Sequence, residues 1–399
     1  MNHTVKVSAD VHWIGVNDRK TELFENLWPL ENGIAYNSYL IDDEQVALID
    51  TVNFSSAEEY IDKIRSIIGE TRQVDYLIVN HMEPDHSGAI RALVEKYPNL
   101  QIAGNLKTFK ILESYYGYKD NLYEVKNGDE LNLGKHKLKF ISTPWVHWPE
   151  TMMTFDETDK ILFSGDAFGS FGSLDGGIFD DEINFEFYED EMRRYFSNIV
   201  GKYSNMVQKA FKKLEGFEIQ IVASTHGPVW RSDVNKVLSL YDKWSKFETE
   251  TGVAIIYGSM YGNTEKMADY TARKLAERGI KNIRIRDVSS THLSHLINDI
   301  WRFKGVILGS CAYNAGMLPT MEHFTRTMEH IGPKNHYLGL FGSYSWAGGG
   351  VKTLNKFAEN IDWEMIGEPV DIKGIPGDEA FAGCEKLAHA MADKLLLQD

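Results

Sequence analysis

Asn80-His81-Met82-Glu83-Pro84-Asp85-His86 places two imidazoles and two carboxylates within six consecutive positions, directly after the apolar run Tyr76-Leu77-Ile78-Val79. A short apolar run bounded by polar residues reads as a buried strand. A strand that ends in His, Glu and Asp delivers metal ligands to the edge of a sheet. Three further candidates repeat this arrangement. His147 follows Phe140-Ile141-Ser142-Thr143-Pro144-Trp145-Val146, Asp166 follows Ile161-Leu162-Phe163-Ser164-Gly165, and His226 follows Ile219-Gln220-Ile221-Val222-Ala223-Ser224-Thr225. If these runs are strands that end at one edge of a sandwich, their ligands converge there. Any one of thirteen histidines is ordinary, but a set of imidazoles and carboxylates behind apolar runs needs compensation for buried charge, and metal ions supply it. The seven side chains His81, Glu83, Asp85, His86, His147, Asp166 and His226 exceed what one small cation with an open position takes, which argues for two metals.

The order His-x-Glu-x-Asp-His differs by one residue from the His-x-His-x-Asp-His of zinc-binding metallo-β-lactamase-like hydrolases. A carboxylate in place of an imidazole adds a hard anionic oxygen and moves preference from zinc toward iron or manganese. With only two cysteines, Cys311 and Cys384, the chain has no disulfide framework, no Cys-x-x-Cys zinc site and no cysteine-ligated iron–sulfur centre. Any metal is therefore held by His, Asp and Glu.

The 399 residues suffice for two domains, and the local pattern changes near Ser245-Lys246-Phe247-Glu248-Thr249-Glu250-Thr251. Before it come short apolar runs, among them Gly33 to Ile41, Gln45 to Ile49, Leu138 to Ile141 and Lys160 to Phe163, as expected of a sheet-rich sandwich with helices outside. After it, strands alternate with helices: Val253 to Tyr257, a helix from Glu265 to Gly279, Val306 to Gly309, Tyr337 to Phe341, and a final helix from Cys384 to Leu397. That order implies a doubly wound parallel sheet. The expected domains are 1–248 and 252–399.

Charge divides the same way. Up to Glu250 there are 41 acidic and 26 basic residues, and from Thr251 onward 17 and 16. The acidic surface disfavours nucleic acid or an anionic membrane as partner. No stretch has the apolar length of a membrane span, and Met1-Asn2-His3-Thr4-Val5-Lys6 lacks the apolar segment of a signal peptide, so a cytoplasmic location is expected.

In the second half, Ser259-Met260-Tyr261-Gly262-Asn263-Thr264 lies between a predicted strand and a predicted helix, where hydroxyls and backbone N–H groups can cradle a phosphate. It has neither the Gly-Lys-Ser/Thr of a Walker loop nor a Gly-x-Gly-x-x-Gly turn. The segment resembles the FMN-phosphate loop of flavodoxins. Two later segments at predicted strand ends fit the same flavin site: Ser310-Cys311-Ala312-Tyr313-Asn314-Ala315-Gly316 and Gly342-Ser343-Tyr344-Ser345-Trp346-Ala347-Gly348-Gly349-Gly350. Tyr313 or Trp346 could cover a flavin face, while the glycines allow close backbone approach. Cys311 reads as a small packing residue of the second loop.

Taken together, the ligand motif, the spacing to His147, Asp166 and His226, and the flavin loops make the whole chain resemble the flavodiiron proteins, also called A-type flavoproteins. The resemblance implies an N-terminal metallo-β-lactamase-like αββα domain followed by a flavodoxin-like FMN domain. By the same resemblance one iron is held by His81, Glu83 and His147, the other by Asp85, His86 and His226, and Asp166 bridges. In some members the imidazole matching His86 turns away from the metal. Tyr195 resembles a pocket residue near the irons. The implied activity is reduction of O2 to water, or of NO to N2O and water, with electrons from FMN. It also implies a head-to-tail homodimer, or a dimer of such dimers, fed by an external donor such as rubredoxin, with reduced coenzyme F420 as the alternative. Two other readings stay open: a dinuclear metallo-hydrolase with a regulatory flavodoxin-like domain, and a redox-sensing flavoprotein without turnover.

Overall fold

The computed structural model describes residues 4–397, which divide into two compact units with the boundary between Ser245 and Lys246. The first unit is built on two sheets. One has seven strands in the order Val5–Lys6, Val11–Trp13, Tyr39–Ile41, Ala47–Ile49, Tyr76–Ile78, Gln101–Gly104 and Leu122–Glu124. The other has five, Glu130–Asn132, Lys137–Ser142, Met152–Asp156, Ile161–Gly165 and Ile221–Ser224. A single apolar core joins them: Tyr39, Ile41, Ala47, Ile49 and Ile78 from the first sheet cluster with Leu138, Phe140, Met152, Phe163 and Ala223 from the second. The rings of Tyr39 and Phe163 meet across it at 5.3 Å. Helices such as Ala57–Ile68 lay one apolar stripe against the sandwich, here Tyr60, Ile64 and Ile68, at the helical spacing of four.

The apolar run Gly33 to Ile41, which the sequence presents as one segment, forms two strands. Ile34–Tyr36 pairs with Val16–Asp18, and Tyr39–Ile41 joins the large sheet. The break falls at Asn37, whose backbone N–H donates to Thr225 O at 2.7 Å and whose Nδ2 donates to Ser224 O and Gly227 O. The buried amide thus fastens the loop that carries His226, and the strand interruption is where that fastening is made.

The second unit is a largely parallel sheet in the order Ile283–Asp287, Glu250–Gly258, Phe303–Tyr313, Tyr337–Tyr344 and Glu364–Met365, with Val370–Lys373 also beside Tyr337–Tyr344. The second and third flavin segments are partly strand rather than loop. Ser310 to Tyr313 and Ser343-Tyr344 continue the apolar strands, and Asn314-Ala315 form a turn into the short return strand Gly316–Met317. Cys311 accordingly sits buried within a strand, packed as a small residue. The helix Asn263–Glu277 starts two residues earlier than its apolar spacing indicates, because Gly262 at φ +83° caps it. The final helix is also longer than expected, Asp378–Leu396, and buries Cys384, Leu387 and Met391.

Candidate metal centre

The loops that carry the candidate ligands follow the C-terminal ends of Tyr76–Ile78 in the first sheet and of Lys137–Ser142, Ile161–Gly165 and Ile221–Ser224 in the second, and their side chains meet in two groups. His81, Glu83, His147 and Asp166 form one, and Asp85, His86 and His226 the other; within each, one potential ligand atom per residue lies within 4.8 Å of the rest. In the first group Glu83 Oε2 is 3.1 Å from the Nε2 atoms of both His81 and His147. In the second, the Nε2 atoms of His86 and His226 stand 3.0 Å apart, and Asp85 Oδ2 is 3.2 and 3.3 Å from them. Asp166 lies between the groups. Its Oδ2 faces His147 at 3.0 Å and His81 at 3.6 Å, while its Oδ1 faces His86 at 3.0 Å and His226 at 3.9 Å.

These donors suit a pair of divalent cations. Two imidazole nitrogens that point at each other cannot both donate, and both oxygens of Asp85 are buried without a hydrogen bond. A cation removes both mismatches, because lone pairs converging on one point are what it requires. The donors are imidazole nitrogens and carboxylate oxygens only, a set open to iron. His86 turns toward the cluster in this structure.

Several further residues surround these candidate ligands. Asp50, at the end of the strand Ala47–Ile49, accepts the backbone N–H groups of Asn80 at 2.7 Å and His81 at 3.2 Å. It ends an apolar run just as His81 does, and that pattern could have drawn attention to it. Thr225 donates to Asp166 Oδ1 at 2.6 Å, and His226 Nδ1 donates to Ala35 O at 2.8 Å. Glu25 lies on the type I′ turn Phe24-Glu25-Asn26-Leu27, where φ is positive at both central residues. Burial and the neighbouring Glu83 push its carboxyl up to about 7. Tyr195 is fully buried, with its ring 5.3 Å from that of His226 and its hydroxyl without a hydrogen-bond partner. A third group, His136, Asp156 and Asp159, lies at the other end of the strand Lys137–Ser142. Asp156 there accepts Thr158 N, Asp159 N and His136 Nδ1, so its oxygens are used in fastening a turn.

Without a bound cation, protons would balance the charge of this cluster. Burial works against charging the imidazoles, but the carboxylates outweigh it. Asp166, Glu150 and Glu83 hold His81 well above its ordinary range. Asp85 and Asp166 lift His86 to about 9, and Asp166 with Glu83 lifts His147 to about 9. Burial likewise opposes ionising Asp166, and the surrounding imidazoles hold it well below the usual carboxylate range. The sign of the pH dependence follows. Imidazoles raised from 6.5 to about 9 stabilise the metal-free fold fully below about pH 6.5 and lose that contribution as pH rises through about 9. Metal affinity runs the opposite way, since a cation must displace those protons. Calorimetric titration of Fe(II) at pH 7 in buffers of differing ionisation enthalpy is expected to show more than one proton released per chain; binding without proton release would contradict this electrostatic account.

In the second unit the three flavin segments converge at the C-terminal edge of adjacent strands. Thr264 Oγ1 and Ser343 Oγ are 2.9 Å apart, joining the first segment to the third. A Cβ on Gly349 would lie 2.4 Å from the carbonyl carbon of Ala315, so only glycine lets the third segment approach the second this closely. Ser259 Oγ accepts the Gly262 N–H at 3.0 Å and shapes the turn ahead of the helix. Around it Tyr261 and Trp346 are 89% and 88% exposed, large aromatic faces with little protein cover. A helix N-terminus, hydroxyls and open aromatic faces together suit a phosphorylated flavin.

Residues 34–227 match the ODP family beta lactamase model, and residues 255–387 match the flavodoxin model. The chain is 31% identical to the anaerobic nitric oxide reductase flavorubredoxin of Escherichia coli, over 98% of this chain and 82% of that one. The chain belongs to the flavodiiron protein family. Among solved structures, the rubredoxin oxygen:oxidoreductase of the anaerobe Desulfovibrio gigas superposes with a TM-score of 0.94 at 29% identity, covering 99% of each chain. The flavodiiron protein of Giardia intestinalis superposes with a TM-score of 0.93 at 25% identity, over 99% of this chain and 97% of that one. The expected fold, a metallo-β-lactamase-like sandwich followed by a flavodoxin-like sheet, is therefore the fold of a flavodiiron protein.

Proposed function

We propose that this flavodiiron protein reduces O2 to water, NO to N2O, or both, using FMN and a diiron centre. The observation that carries the reading is the placement of Asp166, one oxygen toward each histidine–carboxylate group, in a chain whose second unit is a flavodoxin. In this reading His81, Glu83 and His147 hold one iron, Asp85, His86 and His226 the other, and Asp166 spans them. The residues of the three flavin segments, from Ser259 to Thr264, Ala312 to Asn314 and Ser343 to Gly349, hold FMN.

Iron held by these residues would supply binding and polarisation of a diatomic gas, and FMN held by the flavin segments would supply the electrons. The chain's own residues do the rest. Phe24 and Tyr36 pack their rings 5.5 and 5.8 Å from that of His226, and Phe171 packs against Tyr195 at 5.1 Å, a largely apolar wall that limits water around the second group. Both reductions consume protons. Glu25, whose carboxyl is pushed up to about 7, is the group we assign to supplying them, and the unpartnered Tyr195 hydroxyl, which burial and Asp166 keep protonated, is assigned to hydrogen-bond donation.

The hydrolase reading is disfavoured by the Glu83 carboxylate and by relatives named as reductases. No helix among the described residues is long and apolar enough to cross a membrane. The cytoplasm as location, removal of O2 or NO in an anaerobe as role, rubredoxin as donor with coenzyme F420 as the alternative, and a head-to-tail homodimer pairing one subunit's FMN with its partner's irons complete the proposal. Consumption of O2 and of NO, measured with iron- and FMN-loaded protein and one saturating reduced donor, tests it. Turnover of at least one gas is expected. A fully loaded protein that consumes neither would overturn the reading.

A further inference from the structure

The two groups of ligands differ in what stands behind them. His81 directs Nε2 into the cluster and donates Nδ1–H to Glu150 Oε1 at 2.8 Å. His226 donates Nδ1–H to a neutral acceptor, Ala35 O, at 2.8 Å. The Nδ1 of His86 is buried with no hydrogen-bond partner. Thus His81 has a carboxylate behind it, whereas the second group has one carbonyl and one unpartnered nitrogen.

Glu150 is itself held firmly. Its side chain is fully buried, Oε1 also accepts the Met82 N–H at 3.0 Å, and its backbone carbonyl accepts Asn105 Nδ2 at 2.6 Å. It belongs to the same loop between Ser142 and Met152 as His147, so its carboxylate ties the loop of His81 to the loop of His147. Its second oxygen, Oε2, is buried without a hydrogen bond. A buried carboxylate with one oxygen unused is costly unless the contacts of the other oxygen matter. One of those two contacts is with a candidate ligand, His81.

We propose that Glu150 is a positioning residue that fixes the tautomer and orientation of His81 and, through it, makes the two iron positions chemically unequal. A carboxylate acceptor on Nδ1–H raises the basicity of Nε2 and strengthens it as a ligand. Iron held by His81, Glu83 and His147 is therefore bound more tightly, and its ferric state is favoured over that of its neighbour. This rests on the diiron reading above.

Two variants separate position from charge. Glu150→Gln keeps size and an acceptor for Nδ1–H but removes the negative charge. It is expected to retain two irons and FMN, to shift the reduction potential of the iron pair upward, and to alter the spectrum of the half-oxidised pair. Glu150→Ala removes the acceptor as well and is expected to weaken one of the two irons about 10- to 100-fold while leaving the other and the FMN content unchanged. Glu150→Asp, which retains the charge, should restore part of the wild-type spectrum. Metal titration followed by spectroscopy across a redox titration reads all three without turnover. Wild-type potentials and spectrum in Glu150→Gln, or two irons of wild-type affinity in Glu150→Ala, would overturn the proposal. A failure of the diiron reading itself looks different, because the wild-type protein would then bind no iron pair whatever stands at position 150.

Discussion

Asp166→Asn is expected to purify with FMN but with one iron or none, and to lose reduction of O2 and NO by about two to four orders of magnitude. The size follows from what one side chain does in two places. Each Asp166 oxygen faces a different histidine pair, so loss of the charge weakens both metal positions together. Metal-derived stabilisation of a reacting group is worth several kcal/mol, and each 1.4 kcal/mol or so is tenfold in rate. The metal-free protein suffers as well. Asp166 helps raise the proton affinity of His81 and His147 and, after Asp85, that of His86, and removing one partner from a buried charge cluster costs about 3–5 kcal/mol. Iron per chain, flavin absorbance and gas consumption measured on one preparation check this. Two irons and wild-type turnover in the variant would remove Asp166 from the bridging position. Because the flavin segments lie in the other unit, FMN content is the internal control for folding.

The second large effect is at Glu83. Glu83→His recreates the His-x-His-x-Asp-His order of the zinc hydrolases and replaces an oxygen shared by His81 and His147 at 3.1 Å with a further imidazole. The donor set becomes softer and less anionic, which favours zinc, a metal without redox chemistry. Offered equal Fe(II) and Zn(II), the variant is expected to take up a larger share of zinc than the wild-type protein does, with gas consumption falling about 100-fold or more as the redox metal is lost. Glu83→Asp, which keeps a carboxylate, should retain iron with weaker binding. If Glu83→His kept two irons and its turnover, the identity of this residue would not select the metal.

Much of this was legible in the residues themselves. Four apolar runs, each ending in a ligand, indicate strands whose ends converge, since a ligand after a buried strand can only emerge at the sheet edge. The order His81, Glu83, Asp85, His86 carries the metal chemistry in its spacing, and the change of pattern near Ser245 marks where one unit gives way to the next. The three flavin segments stand out in the sequence as polar, glycine-bearing stretches at the ends of apolar runs, and the fold sets those runs side by side as strands.

Other features became visible only in three dimensions. Glu150 follows no apolar run, and its partner His81 is 69 positions away, so no local pattern reveals it. The break at Asn37 is set by carbonyls of Ser224 and Gly227 near the other end of the unit, which override the apolar run around it. The division of labour between the oxygens of Asp166 is likewise a matter of angle and distance.

Residue chemistry and local periodicity alone indicate which side chains can bind metal, that the donors are nitrogen and oxygen, and that strands could bring them to one edge. The distances that group the seven candidate ligands about Asp166, a division the resemblance already implied, the inward turn of His86, and the carboxylate behind His81 are visible only in the tertiary structure. Those depend on contacts between residues far apart in the chain, which packing specifies and periodicity does not.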